Sequence, residues 1–375
     1  MRQTGLNHLH AAVETAPTGG AGATASPRPG HRRSVLGRFA RVAAISVAFA
    51  AASTAAMAQE ALKLKYAQVL PSTHYIWEEG VKGFTEAVTA ATNGQVTFEV
   101  YPAGQLGKDK ISVLQSGLAD LVLIIPSYTP DKMPMSSVSE LPGFYSSSCE
   151  GSDMFWEISK PGGMLYEQEL KGLGIHPLFA NILIPYRILT SKKQVVTIDD
   201  MAGLKIRANG AAMDKTVRAL GGVPVRASSP ELYDAVSRGT LDGALFTLNA
   251  LEQYSLEKVI DYVVDGPQLG SASIIIGMSE KRWNGLPDNV KTAMTDAAAT
   301  AQKTLCAWMD NDEKQVVDKF VAAGTITPTA LSAEQLEIWQ KRVSSVAEDW
   351  AKEVDAAGKQ GSELLKAFRA VGSSQ

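Results

Sequence analysis

Apolar and polar positions recur along this chain in one arrangement that is used twice. Residues 62–66 (LKLKY) and 204–207 (LKIR) alternate apolar and charged side chains, the period of a half-buried strand. Each is followed by a helical stretch, a β-branched strand (QVTFEVY at 95–101, GGVPVRA at 221–227) and a second helix. That helix ends near Gly117 or Gly239, an acid follows (Asp120 or Asp242), and an apolar strand begins (LVLII at 121–125, GALF at 243–246). The pattern predicts two β-α-β-α-β lobes, and lobes that face each other leave a cleft of the kind that binds small ligands.

The segments around the repeats read as follows. Trp77, Val81, Phe84 and Val88 share one face of a helix expected over 75–92, which Asn93-Gly94 ends. A helix is expected at about 108–117, after Gly104-Gln105-Leu106-Gly107. The Pro- and Ser-rich stretch 126–148 predicts loop and crossover. A helix over about 150–175 should break near Pro161-Gly162-Gly163. Strands at 174–180 and 185–190 lead into the second copy, at about 187–250. Residues 273–277 (SIIIG) read as a strand that returns to the first lobe.

Leu286-Pro287-Asp288 opens a helix on which Val290, Met294, Ala297, Ala301, Leu305 and Trp308 recur in steps of four and three, continuing to Gly324. A helix of about 35 residues rises ~50 Å, enough to span both lobes. Ser332 and Gln335 have capping-box spacing before one last long helix, with Leu336, Trp339, Val343, Val346, Trp350 and Val354 on its buried side. The lobes are thus expected at 59–185 plus about 272–312, and at 186–271 plus about 313–375.

The first 58 residues lie outside this scheme. Arg32, Arg33, Arg38 and Arg41 precede an Ala-rich apolar run that ends in Ala56-Met57-Ala58, the three-part pattern of a secretory signal peptide. The run falls short of the ~20 strongly apolar residues of a membrane span. Arg32-Arg33 faintly resembles a twin-arginine signal, but basic leaders often carry such pairs, and the general export route is expected. Residues 1–30 stand unusually far upstream, consistent with a misplaced start codon. The leader takes six arginines and one acid (Glu14) with it, leaving 30 basic against 38 acidic residues, a balance of −8 over 317 residues. A net acidic surface argues against nucleic acid or anionic membrane as a partner.

Candidate chemistry is sparse. Beyond the leader only His74 and His176 remain, no zinc spacing occurs, and no metal or other cofactor is expected. Cys149 and Cys306 fit one bridge in an oxidising compartment and equally fit two unrelated buried thiols. Gly104-Gln105-Leu106-Gly107-Lys108 lacks the six-residue frame and the Ser/Thr of a phosphate-binding loop. With no nucleophile–base pair, a binding module fits better than an enzyme. Two arginines stand where a ligand carboxylate would be met: Arg207, ending its strand just before Asn209-Gly210, and Arg187 on the strand entering the second lobe. A guanidinium there matches both carboxylate oxygens, which lysine cannot do; otherwise both are solvated surface residues.

Tyr101-Pro102-Ala103-Gly104-Gln105-Leu106-Gly107, Val113-Leu114-Gln115-Ser116-Gly117 and Ala119-Asp120 resemble the first lobe of the solute-binding proteins of TRAP (tripartite ATP-independent periplasmic) transporters. Met201 to Arg207 (MAGLKIR), Ala219-Leu220-Gly221-Gly222, Glu231-Leu232-Tyr233 and Leu241-Asp242-Gly243 are similar to that family's second lobe, and the likeness runs from about 60 to 350. It implies an α/β, type II-like periplasmic-binding-protein fold: two lobes, a long lobe-spanning helix and C-terminal helices, closing over an organic acid. It also implies a periplasmic monomer that hands its ligand to TRAP membrane permease subunits. The family's carboxylate-gripping arginine falls at Arg207, and a less constant second one at Arg187.

The departures from the family pattern concern the ligand. Sialic-acid and dicarboxylate members carry a Gln-Glu-Asn-Pro type of segment where this chain has Ala244-Leu245-Phe246-Thr247, which puts Phe246 at the Asn position. The pocket acid that sialic-acid binders carry at the end of the strand after Asp120 is replaced by Ile125. An apolar wall beside an arginine favours a monocarboxylate with an apolar or aromatic body, whereas a sugar acid would leave hydroxyls unpaired at ~1–3 kcal/mol each. Phe246 and Ile125 are alternatively core residues. Gln68, Tyr128 and Asn209 are further ligand-binding candidates, and His74 either caps its helix or touches ligand. A C4-dicarboxylate or sugar-acid binder, a ligand sensor in a signalling complex, and an enzyme on the same fold remain as alternatives.

Overall fold

The structure, a computed structural model, describes residues 61–373. The expected signal peptide lies outside the described residues. Two sheets carry the fold. The first has strand order β2-β1-β3-β10-β4, built from β1 (Leu62–Ala67), β2 (Val96–Tyr101), β3 (Leu121–Ile124), β4 (Ile175–Ile182) and β10 (Ser273–Ser279). The second has order β11-β9-β5-β8-β6-β7, from β5 (Arg187–Thr190), β6 (Lys205–Arg207), β7 (Val223–Val225), β8 (Gly243–Phe246), β9 (Tyr262–Asp265) and β11 (Thr327–Ala330).

The duplication seen in sequence is a duplication in space. β2-β1-β3 and β7-β6-β8 are each parallel, and each is extended by an antiparallel strand, β10 beside β3 and β5 beside β8. The chain therefore crosses between lobes and returns, as 273–277 predicted. The repeated acids have one shared job. Asp120 accepts the Lys65 amide at 2.8 Å and Asp242 accepts the Lys205 amide at 2.8 Å, each just before its strand begins to pair with the first strand of the unit. Gly117 and Gly239 stand at φ 74° and 72°, the left-handed conformation that ends the helix before each acid.

In the first lobe the apolar stripe closes on the sheet as expected. Its first turn is wound as a π-helix (Ile76–Val81) before continuing as α1 (Lys82–Ala91), with Val81, Phe84 and Val88 buried. α2 (Lys110–Gln115) starts at Asp109, whose carboxylate accepts the Ile111 and Ser112 amides. α3 (Ser148–Ser159) lies beneath β4, and α4 (Ala211–Ala219) and α5 (Leu232–Ser237) belong to the second copy. A short α6 (Glu280–Asn284) leads to α7 (Asp288–Ala322), whose 35 residues give it a length of ~50 Å.

α7 joins the lobes by changing partners along its length. It packs on α1, α3 and β4, and near its midpoint it is bonded to α3 through the Cys149–Cys306 disulfide. Asp310 then accepts the Ser148 and Cys149 amides at 2.6 and 3.1 Å. Two residues later Asp312 accepts from Asn249 at 2.5 Å, and Glu313 pairs with Arg187 at 2.8 Å, both in the second lobe.

Two expectations need correction, and a third segment is more deeply buried than its composition suggests. The last long helix is two, α8 (Ala333–Val343) and α9 (Val346–Ala356); the break falls at Ser344, whose hydroxyl bonds back to the Lys341 carbonyl at 2.8 Å. A further helix, α10 (Gly361–Gly372), follows and packs on both α9 and α3, so the tail given wholly to the second lobe also touches the first. Finally, 126–148 is the loop and crossover expected, but much of it is buried. Its turn Ser136–Glu140 is buried, pinned by the Glu169 carboxylate on the Met135 and Ser136 amides at 2.7 and 2.9 Å and by Trp350 donating to Ser137 at 2.7 Å. The hydroxyls of Ser136, Ser137 and Ser139 are satisfied inside the protein.

Candidate functional site

The carboxyl ends of parallel strands are where open α/β sheets bind ligands, and the ends of β3, β6 and β8 converge on one cavity of about 400 Å³. Its first-lobe wall includes Leu70, His74, Ile125, Ser127 and Tyr128, and its second-lobe wall includes Arg207, Ser229, Phe246 and Tyr254. Sequence reading named five of these: His74, Ile125, Tyr128, Arg207 and Phe246.

Arg207 ends β6 and is 2% exposed. Its Nε donates to the Ala227 carbonyl at 3.0 Å and its NH1 to the Leu245 carbonyl at 3.4 Å, while the guanidinium lies 5.2 Å from the Phe246 ring centroid. Among the described residues it belongs to none of the ion pairs. A guanidinium has five N–H donors, so its buried charge here is oriented by carbonyls and a π-face and left without an anion. Glu140 is the acid whose charge it feels, yet burial first, and the Asp214 carboxylate next, hold Glu140 well above the usual carboxylate range. Phe246 is 2% exposed and also packs on Tyr186 and Tyr254, so the core reading and the cavity-wall reading of this residue are both met.

His74 caps its helix. Nδ1 accepts the Ile76 amide at 3.2 Å, which leaves the proton of the neutral ring on Nε2. Burial lowers its pKa to about 3. Tyr128 lies 3.0 Å from the Ser229 hydroxyl and accepts the Ser229 amide at 3.2 Å, a bond from one lobe to the other across the cavity. Burial raises the phenol of Tyr186 to about 12 and pushes that of Tyr254 higher still, so both stay protonated donors.

Three expected residues are not in the wall. Arg187 begins β5, but its guanidinium pairs with Asp265 and Glu313, two acids that satisfy it away from the cavity. Gln68 is fully buried, accepts from the Tyr66 hydroxyl at 2.9 Å and donates to the Pro71 carbonyl at 3.2 Å, so it shapes the turn that carries His74. Asn209 is 7% exposed and is not among the residues that line the cavity. Conversely, Ser127, Tyr186, Ser229 and Tyr254 line the cavity and were missed. Ser127 Oγ and the Tyr254 hydroxyl are buried without a hydrogen-bond partner of good geometry, although Ser229 lies near Tyr254. Tyr254 comes from 3-10 turns after β8 that carry no apolar period, so no sequence signal marked it.

Among the described residues no group of acids, histidines or cysteines could hold a metal, and no helix is long and apolar enough to cross a membrane.

Comparison with known proteins agrees with this architecture. The C4-dicarboxylate-binding periplasmic protein DctP of Rhodobacter capsulatus is 25% identical over 86% of this chain and 96% of its own length. A marine metagenome TRAP solute-binding protein specific for aromatic acid ligands, solved with metahydroxyphenylacetate, matches with TM-score 0.77 at 24% identity over 84% of this chain and 99% of its own. A TRAP solute-binding protein from Rhodoferax ferrireducens with copurified benzoate matches with TM-score 0.75 at 22% identity, over 84% and 98%. Other solved proteins of this fold hold sugar acids. The family model described as Bacterial extracellular solute-binding protein, family 7 matches residues 66–353. The chain therefore belongs to that family, the solute-binding proteins of TRAP transporters.

Proposed function

We propose that this protein captures a small organic monocarboxylate with an apolar or aromatic body in the periplasm and passes it, chemically unchanged, to TRAP membrane permease subunits. The observation that carries the reading is the buried Arg207 charge, which faces a cavity and has no anion of its own. A carboxylate would supply the missing counter-charge in a bidentate pair. Leu70, Ile125 and Phe246 around it suit a ring or branched chain, and burying a phenyl-sized group contributes ~1.5–3 kcal/mol. The benzoate and metahydroxyphenylacetate held by two relatives of the same fold are precedent for such a ligand. The unpartnered Ser127 and Tyr254 hydroxyls favour an acid with one further polar substituent over a bare hydrocarbon ring.

A C4-dicarboxylate or a sugar acid is the second reading, supported by the Rhodobacter relative and by relatives solved with sugar acids. A thermal-shift panel of aryl, hydroxyaryl, branched-chain, dicarboxylic and sugar acids separates the two, because a tight ligand raises the melting temperature by mass action. Stabilisation by aryl acids supports the first reading. Stabilisation by succinate or galacturonate alone would replace it with the second.

A further inference from the structure

Behind the Ile125–Tyr128 wall lies a second recess of about 250 Å³, which shares those two residues with the cleft and is otherwise lined in part by Lys108, Lys110 and Thr129. Lys110 is 4% exposed. Its ammonium donates to the Gly107 carbonyl at 2.8 Å and forms no ion pair among the described residues. The neighbouring acid is not available to it: Asp109 accepts the Ile111 and Ser112 amides at 3.1 and 3.2 Å and pairs with Lys132 at 2.5 Å. Burial lowers the Lys110 pKa to about 8, and no carboxylate acts against that shift. Thr129 Oγ is buried in the same recess with no hydrogen-bond partner. A buried ammonium with one carbonyl partner is a costly arrangement, and it becomes favourable when an anion completes it.

We propose that this recess is a second oxyanion subsite, in which the Lys110 and Lys108 ammonium groups and the Thr129 hydroxyl hold a carboxylate, sulfate or phosphate group. The group has two sources: a distal acid on the cleft ligand, reaching past Ile125, or a free inorganic anion. The first source rests on the cleft reading above and the second does not.

Calorimetry on the full chain at constant ionic strength tests it, with three probes: sodium sulfate alone, benzoate, and 3-carboxyphenylacetate, an aryl diacid. Sulfate binding without organic acid supports the free-anion source. A diacid at least tenfold tighter than benzoate, with no sulfate binding, supports the distal-group source. In either case Lys110→Met should remove the sulfate binding or the diacid advantage and leave benzoate within twofold. Sulfate binding with no benzoate binding would count against the cleft reading while supporting the subsite. The proposal is overturned if neither sulfate binding nor a diacid advantage is seen, or if either persists unchanged in Lys110→Met. Should that variant fail to fold, Lys108→Met and Thr129→Val carry the same test, and unchanged sulfate and diacid affinities in both would overturn it.

Discussion

The Tyr128 hydroxyl sits 3.0 Å from Ser229 Oγ and accepts the Ser229 amide at 3.2 Å, so one phenol from the first lobe holds the start of a helical turn in the second. Both residues line the cavity, so the bond exists only when the lobes are together. Hinge closure of two-lobe binding proteins depends on such contacts, each adding about 1 kcal/mol to the closed state. Tyr128→Phe should therefore weaken ligand affinity by about fivefold to tenfold, mostly through a faster off-rate. Stopped-flow dissociation and small-angle scattering with and without ligand read the two effects. An unchanged off-rate would remove the latch role.

Arg207→Lys keeps the charge but loses the planar fork held by the Ala227 and Leu245 carbonyls. Affinity for the carboxylate should fall by ~2 kcal/mol or more, since a buried charged pair is being replaced. Calorimetry showing the variant within twofold of the parent would sink the assignment of Arg207 as anchor.

Arg187 should behave in the opposite way. Its two acids lie on β9 and α7, so it joins the long helix to the second sheet. Burial raises Glu313 first, and the Arg187 charge lowers it, so Arg187→Met leaves a largely buried carboxyl uncompensated. Stability should drop by about 1–3 kcal/mol, less than a fully buried pair because the Arg187 side chain is 21% exposed. Ligand affinity should stay within twofold. A tenfold loss of affinity at unchanged melting temperature would return Arg187 to the ligand.

The contrast between the two arginines shows what could be read from residues alone. The repeat, the long helix and Arg207 were legible because each depends on a local rule: strand period, helical period, and a side chain at a strand end facing the cleft. Arg187 stands opposite Phe246 at the same edge of the sheet, but its partners Asp265 and Glu313 come from 78 residues away and from another element, beyond any local pattern. Tyr254 and Ser229 were illegible for the same reason, since turns without period bring them to the cavity. The burial of Ser136, Ser137 and Ser139 was illegible because composition cannot tell a hydroxyl bonded to water from one bonded to Glu169 or Trp350.

The Cys149–Cys306 bond closes a loop of 157 residues and ties α3 to α7. In the chain-entropy account a loop that long restricts the unfolded chain by about 5 kcal/mol. Reduction, or Cys149→Ser with Cys306→Ser, should lower the urea midpoint strongly and barely alter ligand affinity, because neither residue lines the cavity. Equal midpoints for oxidised and reduced protein would contradict this.

His74 ties stability to acid. Burial alone lowers its pKa to about 3, with the Tyr75 and Tyr254 rings packed on it and its Nδ1 engaged by the Ile76 amide. The unfolded chain takes up this proton near pH ~6.5, whereas the folded chain resists it until about pH 3. The His74 contribution is therefore intact above the unfolded value and is lost as pH falls between the two. At pH 5 the loss amounts to about 2 kcal/mol. Raised carboxyls such as Glu140 and Glu169 work in the opposite direction, because protonating them favours the folded state. The test is thus a difference: urea unfolding of wild type and His74→Asn at pH 7 and pH 5. Asparagine can still accept the Ile76 amide but does not titrate, so the variant should lose about 2 kcal/mol less than wild type between the two pH values. Parallel losses in the two proteins would show that the imidazole is not the group that takes up the proton.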